Sequence, residues 1–122
     1  MLEVCTKKEL DELKMKGELE LDWIEGDKSY PVYKVVNNSQ IQALIQYSEL
    51  DKAIVQIDLF EVLKSKRRKK IGSNIITLFM KRFSNAVFCL YPNNEKAVKF
   101  WEYCGYTKQD DGSGTYEWVY NR

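Results

Sequence analysis

The chain has 122 residues, of which 44% are apolar and 30% charged, with a formal net charge of +1. This length fits one folded domain, and so high an apolar fraction at so small a net charge excludes a disordered chain. No apolar run approaches the roughly 18 residues that a membrane-spanning helix needs. The N-terminal segment also lacks the pattern of a signal or transit peptide. We therefore expect a single domain over residues 1–122 that has no membrane partner and is cytoplasmic.

The residue types exclude several kinds of catalytic site. The sequence contains no histidine, so it cannot form a histidine triad, a histidine-ligated zinc site or a histidine general base. Its three cysteines, Cys5, Cys89 and Cys104, are odd in number and have no CxxC spacing. We therefore expect reduced, packed thiols and no metal site.

The small net charge conceals an asymmetry along the chain. Residues 1–63 carry 7 Lys and Arg against 13 Asp and Glu, whereas residues 64–122 carry 12 against 5. An acidic half joined to a basic half suggests an anionic ligand on the basic side and a cationic ligand on the acidic side.

The first predicted element is a helix. Thr6 followed by Glu9 forms a capping box, in which each side chain bonds the backbone of the other residue. The helix runs to about Lys16, and Gly17 ends it.

Strand patterns follow in the middle of the chain. Residues 18–25 alternate as ELELDWIE, which predicts a strand with Leu19, Leu21 and Trp23 on one face. Further strands are predicted, in chain order, at residues 30–36, 41–47 and 53–63. The last of these is almost continuously apolar, which is typical of a strand that is buried on both faces.

The second half of the chain alternates helices and strands. A stripe of apolar residues predicts a helix over residues 71–84, formed by Ile71, Ile75, Leu78, Phe79 and Phe83. The remaining predicted elements are a strand at 86–91, a helix at 95–104 that Asn94 caps and Gly105 ends, a hairpin turn at 111–114 and a last strand at 115–120. This order predicts an α/β (α+β) fold, in which strands 53–63 and 86–91 run parallel and a right-handed crossover joins them.

A basic loop lies between the long strand and the next helix. Residues 64–74 read KSKRRKKIGSN, and six of the seven residues from Lys64 to Lys70 are basic. A strand, a basic loop and a helix N-terminus form an anion site that suits a pyrophosphate, because the first helical N–H groups are unpaired within the helix. The alternatives are a solvated basic loop and a nucleic-acid-binding patch.

The later segment NNEKAVKFWEYCGY, at residues 93–106, is by itself an amphipathic helix. Its inward-facing residues are Ala97, Phe100, Trp101 and Cys104. The basic loop and this helix together resemble two signatures of the GNAT superfamily of acetyl-coenzyme A-dependent N-acetyltransferases. Residues 67–72 occupy the frame of the coenzyme signature R/Q-x-x-G-x-G/A. The later signature, N-x-x-A-x-x-F-Y-x-x-x-G-F, is matched by Asn94, Ala97, Phe100, Trp101, Gly105 and Tyr106.

The resemblance implies a fold and a reaction. The fold would be a GNAT-like mixed, mostly antiparallel central sheet with one splayed parallel strand pair and helices on both faces. Residues 1–52 would form the acidic, substrate-side half and residues 53–122 the coenzyme-binding half. The reaction would transfer an acetyl group from acetyl-CoA to a primary amine by direct attack. The acidic first half favours a cationic acceptor, either a small molecule or a protein amine.

The resemblance also implies residues that hold the coenzyme. The backbone N–H groups of residues 68–73 would bind the pyrophosphate, and the basic side chains beside them would add charge. The Val62 N–H would polarise the thioester carbonyl, where one donor contributes about 2.7–4 kcal/mol. Asn94 would bind the pantetheine arm or cap the helix. The full set of coenzyme-binding residues is Val62, Arg67, Arg68, Lys69, Lys70, Ile71, Gly72, Ser73, Asn94, Phe100 and Trp101.

Two residues are assigned to proton transfer. Glu61 is the candidate general base, because it faces away from its neighbours in the strand and a desolvated carboxylate suits proton acceptance through water. Its alternative role is a structural pair with a cation or the binding of a cationic substrate. Asp58 ranks second because it lies on the other face of the strand. Tyr106, like Tyr103, is a candidate proton donor that could equally belong to the core.

Two positions depart from the family pattern. Lys70 replaces the first glycine of the coenzyme signature, and a positive φ there would cost about 1–2 kcal/mol. Trp101 replaces the tyrosine that in many members protonates the leaving thiolate, which an indole N–H cannot do. These departures keep open a non-catalytic coenzyme A-binding or protein-interaction module. The acidic half disfavours a nucleic-acid partner, and a homodimer is left open.

Overall fold

The computed structural model describes residues 1–51, 53–67, 70–110 and 116–120, with the backbone alone of residue 116. The helices are α1 (Lys7–Met15), α2 (Ile71–Lys81) and α3 (Glu95–Tyr103). The strands are β1 (Leu2–Val4), β2 (Tyr33–Asn37), β3 (Gln40–Asp51), β4 (Ile54–Val62), β5 (Val87–Leu90), β6 (Thr107–Asp110) and β7 (Tyr116–Tyr120). These elements confirm the mixed α/β fold.

The seven strands of the described residues form one sheet in the order β1-β2-β3-β4-β5-β7-β6. The pairs β1–β2, β2–β3, β5–β7 and β6–β7 are antiparallel. β4 and β5 are parallel, with paired residues from Ile54–Val87 to Ile57–Leu90. The prediction of a mostly antiparallel sheet with one parallel pair is therefore confirmed. The paired ladder ends at Ile57, whereas β4 continues to Val62.

The chain divides into two compact units. The first comprises residues 1–47 and 59–72, and the second comprises residues 48–58 and 73–122. A leucine-rich cluster with one tryptophan forms the core of the first unit. Its buried members are Leu10, Leu13, Trp23, Val32, Leu44 and Leu63. The expectation of one domain over residues 1–122 stays a prediction.

Aromatic and aliphatic side chains form the core of the second unit. The rings of Phe79 and Phe83 lie 5.3 Å apart, and Phe79 and Phe88 meet edge to face at 6.1 Å. Further buried residues of this unit include Val55, Ile57, Ile75, Ile76, Met80, Leu90 and Trp118.

Local signals placed the ends of α1 and the start of α3 correctly, whereas α2 ends at Lys81, three residues before the predicted end. The Thr6 hydroxyl accepts a hydrogen bond from the Glu9 N–H, and the Glu9 carboxylate accepts one from the Thr6 N–H, which completes the capping box. Gly17 follows α1 with φ of 71°, a conformation that favours glycine. The Asn94 side chain caps α3 by accepting the Ala97 N–H at 2.8 Å.

The predicted strand at residues 18–25 is wrong, because no strand forms there. Its alternation has another cause: Leu19 and Leu21 pack on the core of the first unit, while Glu18 and Glu20 bind the basic loop. The prediction also missed β1, three residues that pair with β2.

Three further details differ from the predictions. Leu78 is 64% exposed, and Ile76 and Met80 are buried instead, so the apolar stripe of α2 is rotated from the predicted one. β4 is buried mainly on the face that carries Val55, Ile57 and Glu61, so the prediction that both of its faces are buried was wrong. The predicted hairpin turn at 111–114 lies outside the described residues.

Candidate functional site

The junction between β4 and α2 carries the predicted anion site. β4 ends at Val62, a single 3-10 turn spans Lys64–Lys66, and α2 begins at Ile71. Lys70, directly before α2, has φ of 70°, the left-handed conformation that glycine adopts at little cost, and it stands at the position of the family's glycine. Arg68 and Lys69 lie outside the described residues.

This junction suits a phosphate by its chemistry. The first N–H groups of an α-helix have no partner within the helix and lie at the positive end of its dipole. In α2 these include the groups of Ile71 and Gly72. A left-handed residue beside helical residues is also the backbone arrangement of anion-binding nests. The donor set present therefore fits a pyrophosphate.

Glu61 is 5% exposed and accepts hydrogen bonds on both carboxylate oxygens. Its Oε1 accepts the Leu21 N–H at 3.1 Å and the Trp23 Nε1–H at 2.9 Å. Its Oε2 accepts the Glu20 N–H at 2.8 Å and an Arg67 guanidinium N–H at 2.7 Å. Four donors thus surround the two carboxylate oxygens. Glu61 holds residues 20–23 against the end of β4.

The Arg67 side chain turns back toward β4. Its Nε donates to the Val62 carbonyl at 2.9 Å, and its two terminal nitrogens donate to Glu61 and Glu20. The Arg67 side chain is 34% exposed and the Glu20 side chain 50% exposed, so Arg67 joins a buried and a solvent-facing carboxylate. Each of its three nitrogens has a protein acceptor.

Glu18 makes a second connection to the basic loop. Its carboxylate accepts the Ser65 N–H at 2.8 Å and the Ser65 hydroxyl, and its carbonyl accepts the Lys64 N–H at 3.0 Å. The hydrogen bond from the Ser65 side chain is the main reason that the pKa of Glu18 is lowered, although desolvation opposes it. The sequence interpretation missed Glu18 and Glu20. The signal was present, because two acids two residues apart face the same way in an extended chain and complement a basic loop.

The later signature places its aromatic residues close together. The rings of Phe100 and Trp101 lie 4.9 Å apart, those of Trp101 and Tyr106 5.1 Å, and those of Tyr106 and Tyr120 5.5 Å. Trp101 is 6% exposed and Tyr106 is 2% exposed. The Tyr106 hydroxyl donates to the sulfur of Met80 at 3.3 Å. Tyr106 thus lies in a core, and its assignment as a proton donor stays a prediction.

Asp58, the second carboxylate candidate, directly follows the last residue of the parallel ladder. It is half-buried and accepts the Ser48 hydroxyl at 2.6 Å and the Gln56 amide at 2.7 Å. Both donors are neutral, whereas Glu61 has a guanidinium partner. The two carboxylates alternate in burial along β4, as expected for opposite faces.

The three cysteines are free thiols with raised pKa values. Burial raises the pKa of Cys89 to about 12, with a smaller contribution from the Glu117 carboxylate, and raises that of Cys104 to about 11. Burial, followed by the Glu9 carboxylate, raises the pKa of Cys5 to about 11. Since the thiolate is the nucleophile, these thiols are poorly suited to an acyl-cysteine route.

The part of the chain that the structure describes has neither a metal-binding cluster nor a membrane-spanning helix. Over residues 1–51, 53–67, 70–110 and 116–120, no group of three or more Cys, Asp or Glu side chains could hold a metal ion. No helix among these residues has the length and apolar character to cross a membrane.

Comparisons with solved structures identify the fold. Arabidopsis thaliana Naa50 in complex with the bisubstrate analogue CoA-Ac-MVNAL is 22% identical, with a TM-score of 0.60 over 98% of this chain and 95% of that one. The putative N-acetyl transferase YhhK from E. coli, bound to coenzyme A, is 15% identical, with a TM-score of 0.66 over 98% and 96%. The ribosomal-protein-S18-alanine N-acetyltransferase from Escherichia coli is 11% identical, with a TM-score of 0.65 over 98% and 89%. At these identities the likeness shows the fold alone.

Comparisons of sequence identify the family. No curated protein sequence matches the chain. The profile of the acetyltransferase (GNAT) family matches residues 2–106, which is most of the chain. The matched range contains the β4–α2 junction and the later signature through Tyr106. The chain therefore belongs to the GNAT family of acetyltransferases.

Proposed function

We propose that this protein is an N-acetyltransferase that transfers an acetyl group from acetyl-CoA to a primary amine. The observation that carries the proposal is the β4–α2 junction, where Lys70 has a left-handed conformation at the glycine position of the coenzyme signature. Family membership supports the same reaction class. The structural neighbours include proteins solved with coenzyme A or with a coenzyme-containing analogue.

Groups of this chain would bind the coenzyme at several points along the coenzyme's length. The N–H groups of residues 68–73 would hold the pyrophosphate, because the α2 N-terminus favours an anion. The Val62 N–H would face the thioester carbonyl, and Asn94 the pantetheine arm. Phe100 and Trp101 would line the site around the thiol end of the coenzyme. Acetyl-CoA itself supplies an acetyl group that is activated as a thioester.

The amine must lose a proton before it attacks, since a free alkyl amine has a pKa of about 10. Glu61 and Asp58 are the candidate bases. The four donors around Glu61 support an anchoring role for this residue, because each of its carboxylate oxygens already accepts two hydrogen bonds. The neutral donors of Asp58 support this residue as the base to test first.

We extend the proposal to a cationic acceptor. Residues 1–63 carry 13 acidic side chains against 7 basic ones. Complementary charge favours the encounter with a cation, such as an amine that bears a second ammonium group or a basic peptide N-terminus.

A second candidate function is a coenzyme A-binding protein without transferase activity. Trp101 supports it, because this residue replaces the family's proton-donating tyrosine and is buried beside Tyr106. The two candidates share the coenzyme site and differ in turnover.

Calorimetry with coenzyme A tests the site that both candidates share. Gly72→Val should abolish binding while the protein stays folded, since a β-branched side chain at the second residue of α2 blocks the approach of the backbone to phosphate. Leu78→Val is the matched control, because it places the same residue at an exposed position of the same helix. Unchanged affinity in Gly72→Val would refute the site.

Release of free thiol from acetyl-CoA with a panel of amines then separates the two candidates. Turnover with any amine supports the transferase, and binding without turnover supports the second candidate. Once an acceptor is found, Asp58→Asn should lower kcat by about 10²–10⁴ if Asp58 is the base. A higher KM with unchanged kcat would instead assign Asp58 to acceptor binding.

A further inference from the structure

The acidic segment, residues 18–23, lies along residues 61–67, which join the end of β4 to the start of the basic loop. Backbone and side-chain groups of both segments form hydrogen bonds. The acidic segment forms no strand, so these bonds rather than a sheet ladder hold it. The contact sits where the chain leaves β4 toward the proposed pyrophosphate loop.

Arg67 is central to this contact. It is the first residue of the coenzyme signature, and a cation at this position is expected to lie near phosphate. The side chain instead donates to the Val62 carbonyl, Glu61 and Glu20. A phosphate that bound this guanidinium would compete with Glu20, the more exposed of the two carboxylates.

We propose that Arg67 is a positioning residue for the coenzyme loop, held by Glu20 and Glu61, and that it does not contact the phosphates itself. This inference rests on the proposed function. We call the three residues the Arg67 clamp. The clamp ties the first residue of the loop to the end of β4 and would thereby restrict the loop before the coenzyme arrives. A loop that is ordered before binding raises the affinity, because less conformational entropy is lost when the coenzyme binds.

Glu20→Gln separates the two roles of Arg67 by the sign of its effect. If the guanidinium binds phosphate, removal of a competing carboxylate strengthens coenzyme A binding. If the guanidinium positions the loop, loss of its anchor weakens binding by about 1.5- to fivefold, the range for a solvent-facing charged pair. Glu12→Gln removes the same charge from an exposed position of α1 and is the matched control.

Calorimetry at constant ionic strength measures the dissociation constants of coenzyme A for the wild-type protein and both variants. A weakening in Glu20→Gln alone supports the clamp, and equal or tighter binding overturns it. Arg67→Lys serves as the conservative variant. A single ammonium cannot bridge both carboxylates and the Val62 carbonyl with the geometry of a guanidinium, so we expect a partial loss. Full affinity in Arg67→Lys would also contradict the clamp.

A second readout does not require the coenzyme. Trypsin cleaves after basic residues, so native-state cleavage at residues 64–67 reports how firmly this segment is held. We expect faster cleavage there in Glu20→Gln than in Glu12→Gln or in the wild-type protein. Equal rates in all three would overturn the clamp. If the wild-type protein binds no coenzyme A, the proposed function fails, and the cleavage rates still decide whether Glu20 holds the loop through Arg67.

Discussion

Glu61→Gln should destabilise the fold, because the glutamate carboxylate accepts from donors that an amide cannot all satisfy. Oε1 accepts the Leu21 and Trp23 N–H groups, and Oε2 accepts those of Glu20 and Arg67. Glutamine keeps one acceptor oxygen, so it can serve one of these pairs. Its NH₂ group then faces the other two donors in a site where the side chain is 5% exposed.

The magnitude follows from the two donors left without an acceptor. A buried donor without its acceptor costs about 1–3 kcal/mol, so two such donors cost about 2–6 kcal/mol. The upper end applies only if both donors are fully buried. Arg67 is 34% exposed and keeps the Val62 carbonyl and Glu20 as acceptors. We therefore expect a loss of about 2–4 kcal/mol in the free energy of unfolding.

Urea unfolding at pH 7, followed by tryptophan fluorescence, measures this loss. Glu12→Gln, an exposed substitution of the same type, should change the free energy of unfolding by less than about 0.5 kcal/mol. A loss below about 1 kcal/mol in Glu61→Gln would refute the claim that all four hydrogen bonds stabilise the fold. Kinetic data on this variant should be compared with the wild type only where both are fully folded.

A double-mutant cycle isolates the charged pair within this network. Arg67→Met alone leaves the Glu61 carboxylate buried without its cation, which is costly. In the double variant Glu61→Gln/Arg67→Met, one of the donors that glutamine cannot serve is absent. The combined loss should therefore fall short of the sum of the single losses by about 1–3 kcal/mol. Additive losses would contradict a direct interaction between the two side chains.

Three other outcomes are expected. Lys70→Gly should raise the free energy of unfolding by about 0.5–1 kcal/mol, because glycine relieves the strain of the φ of 70° but loses more backbone entropy on folding. Lys70→Ala should bring no gain in stability. Urea unfolding of both variants measures the difference. The pKa of Glu18 is lowered from 4.5, so its hydrogen bond with Ser65 should persist at neutral pH and break as the pH falls through the lowered pKa. In NMR, the chemical shift of the Ser65 amide should titrate in the same pH range. In Glu18→Gln this chemical shift should not change with pH. Cys89, with a pKa of about 12, should resist alkylation by iodoacetamide at pH 7.5 in the native state and should react in urea. Rapid labelling of the native protein at Cys89 would contradict the burial of this thiol.

The sequence by itself determined the features that depend on neighbouring residues. The capping box of α1 and the Asn94 cap of α3 need only side chains that reach the backbone three residues away. The family signature marks the position of Lys70 as one that glycine usually occupies, and the structure shows a left-handed backbone there. The parallel pairing of β4 with β5 followed from the strand–helix–strand order, which allows few connections.

Only the tertiary structure decided what the alternating segment 18–23 does. Alternation shows that successive side chains face opposite ways, but it does not distinguish a strand partner from a buried core on one side and a charged loop on the other. In the fold, Glu18 and Glu20 bind Ser65 and Arg67, more than 40 residues away in sequence.

The role of Glu61 depended on the same long-range contacts. Its position in an apolar strand indicated burial correctly, and its alternation with Phe60 and Val62 agrees with the burial pattern of β4. Its donors come from residues 20–23 and from Arg67. Most of these partners are brought to it by folding rather than by the local chain. A carboxylate in a strand becomes a base or an anchor according to the donors that surround it, and those donors are set by packing between distant segments.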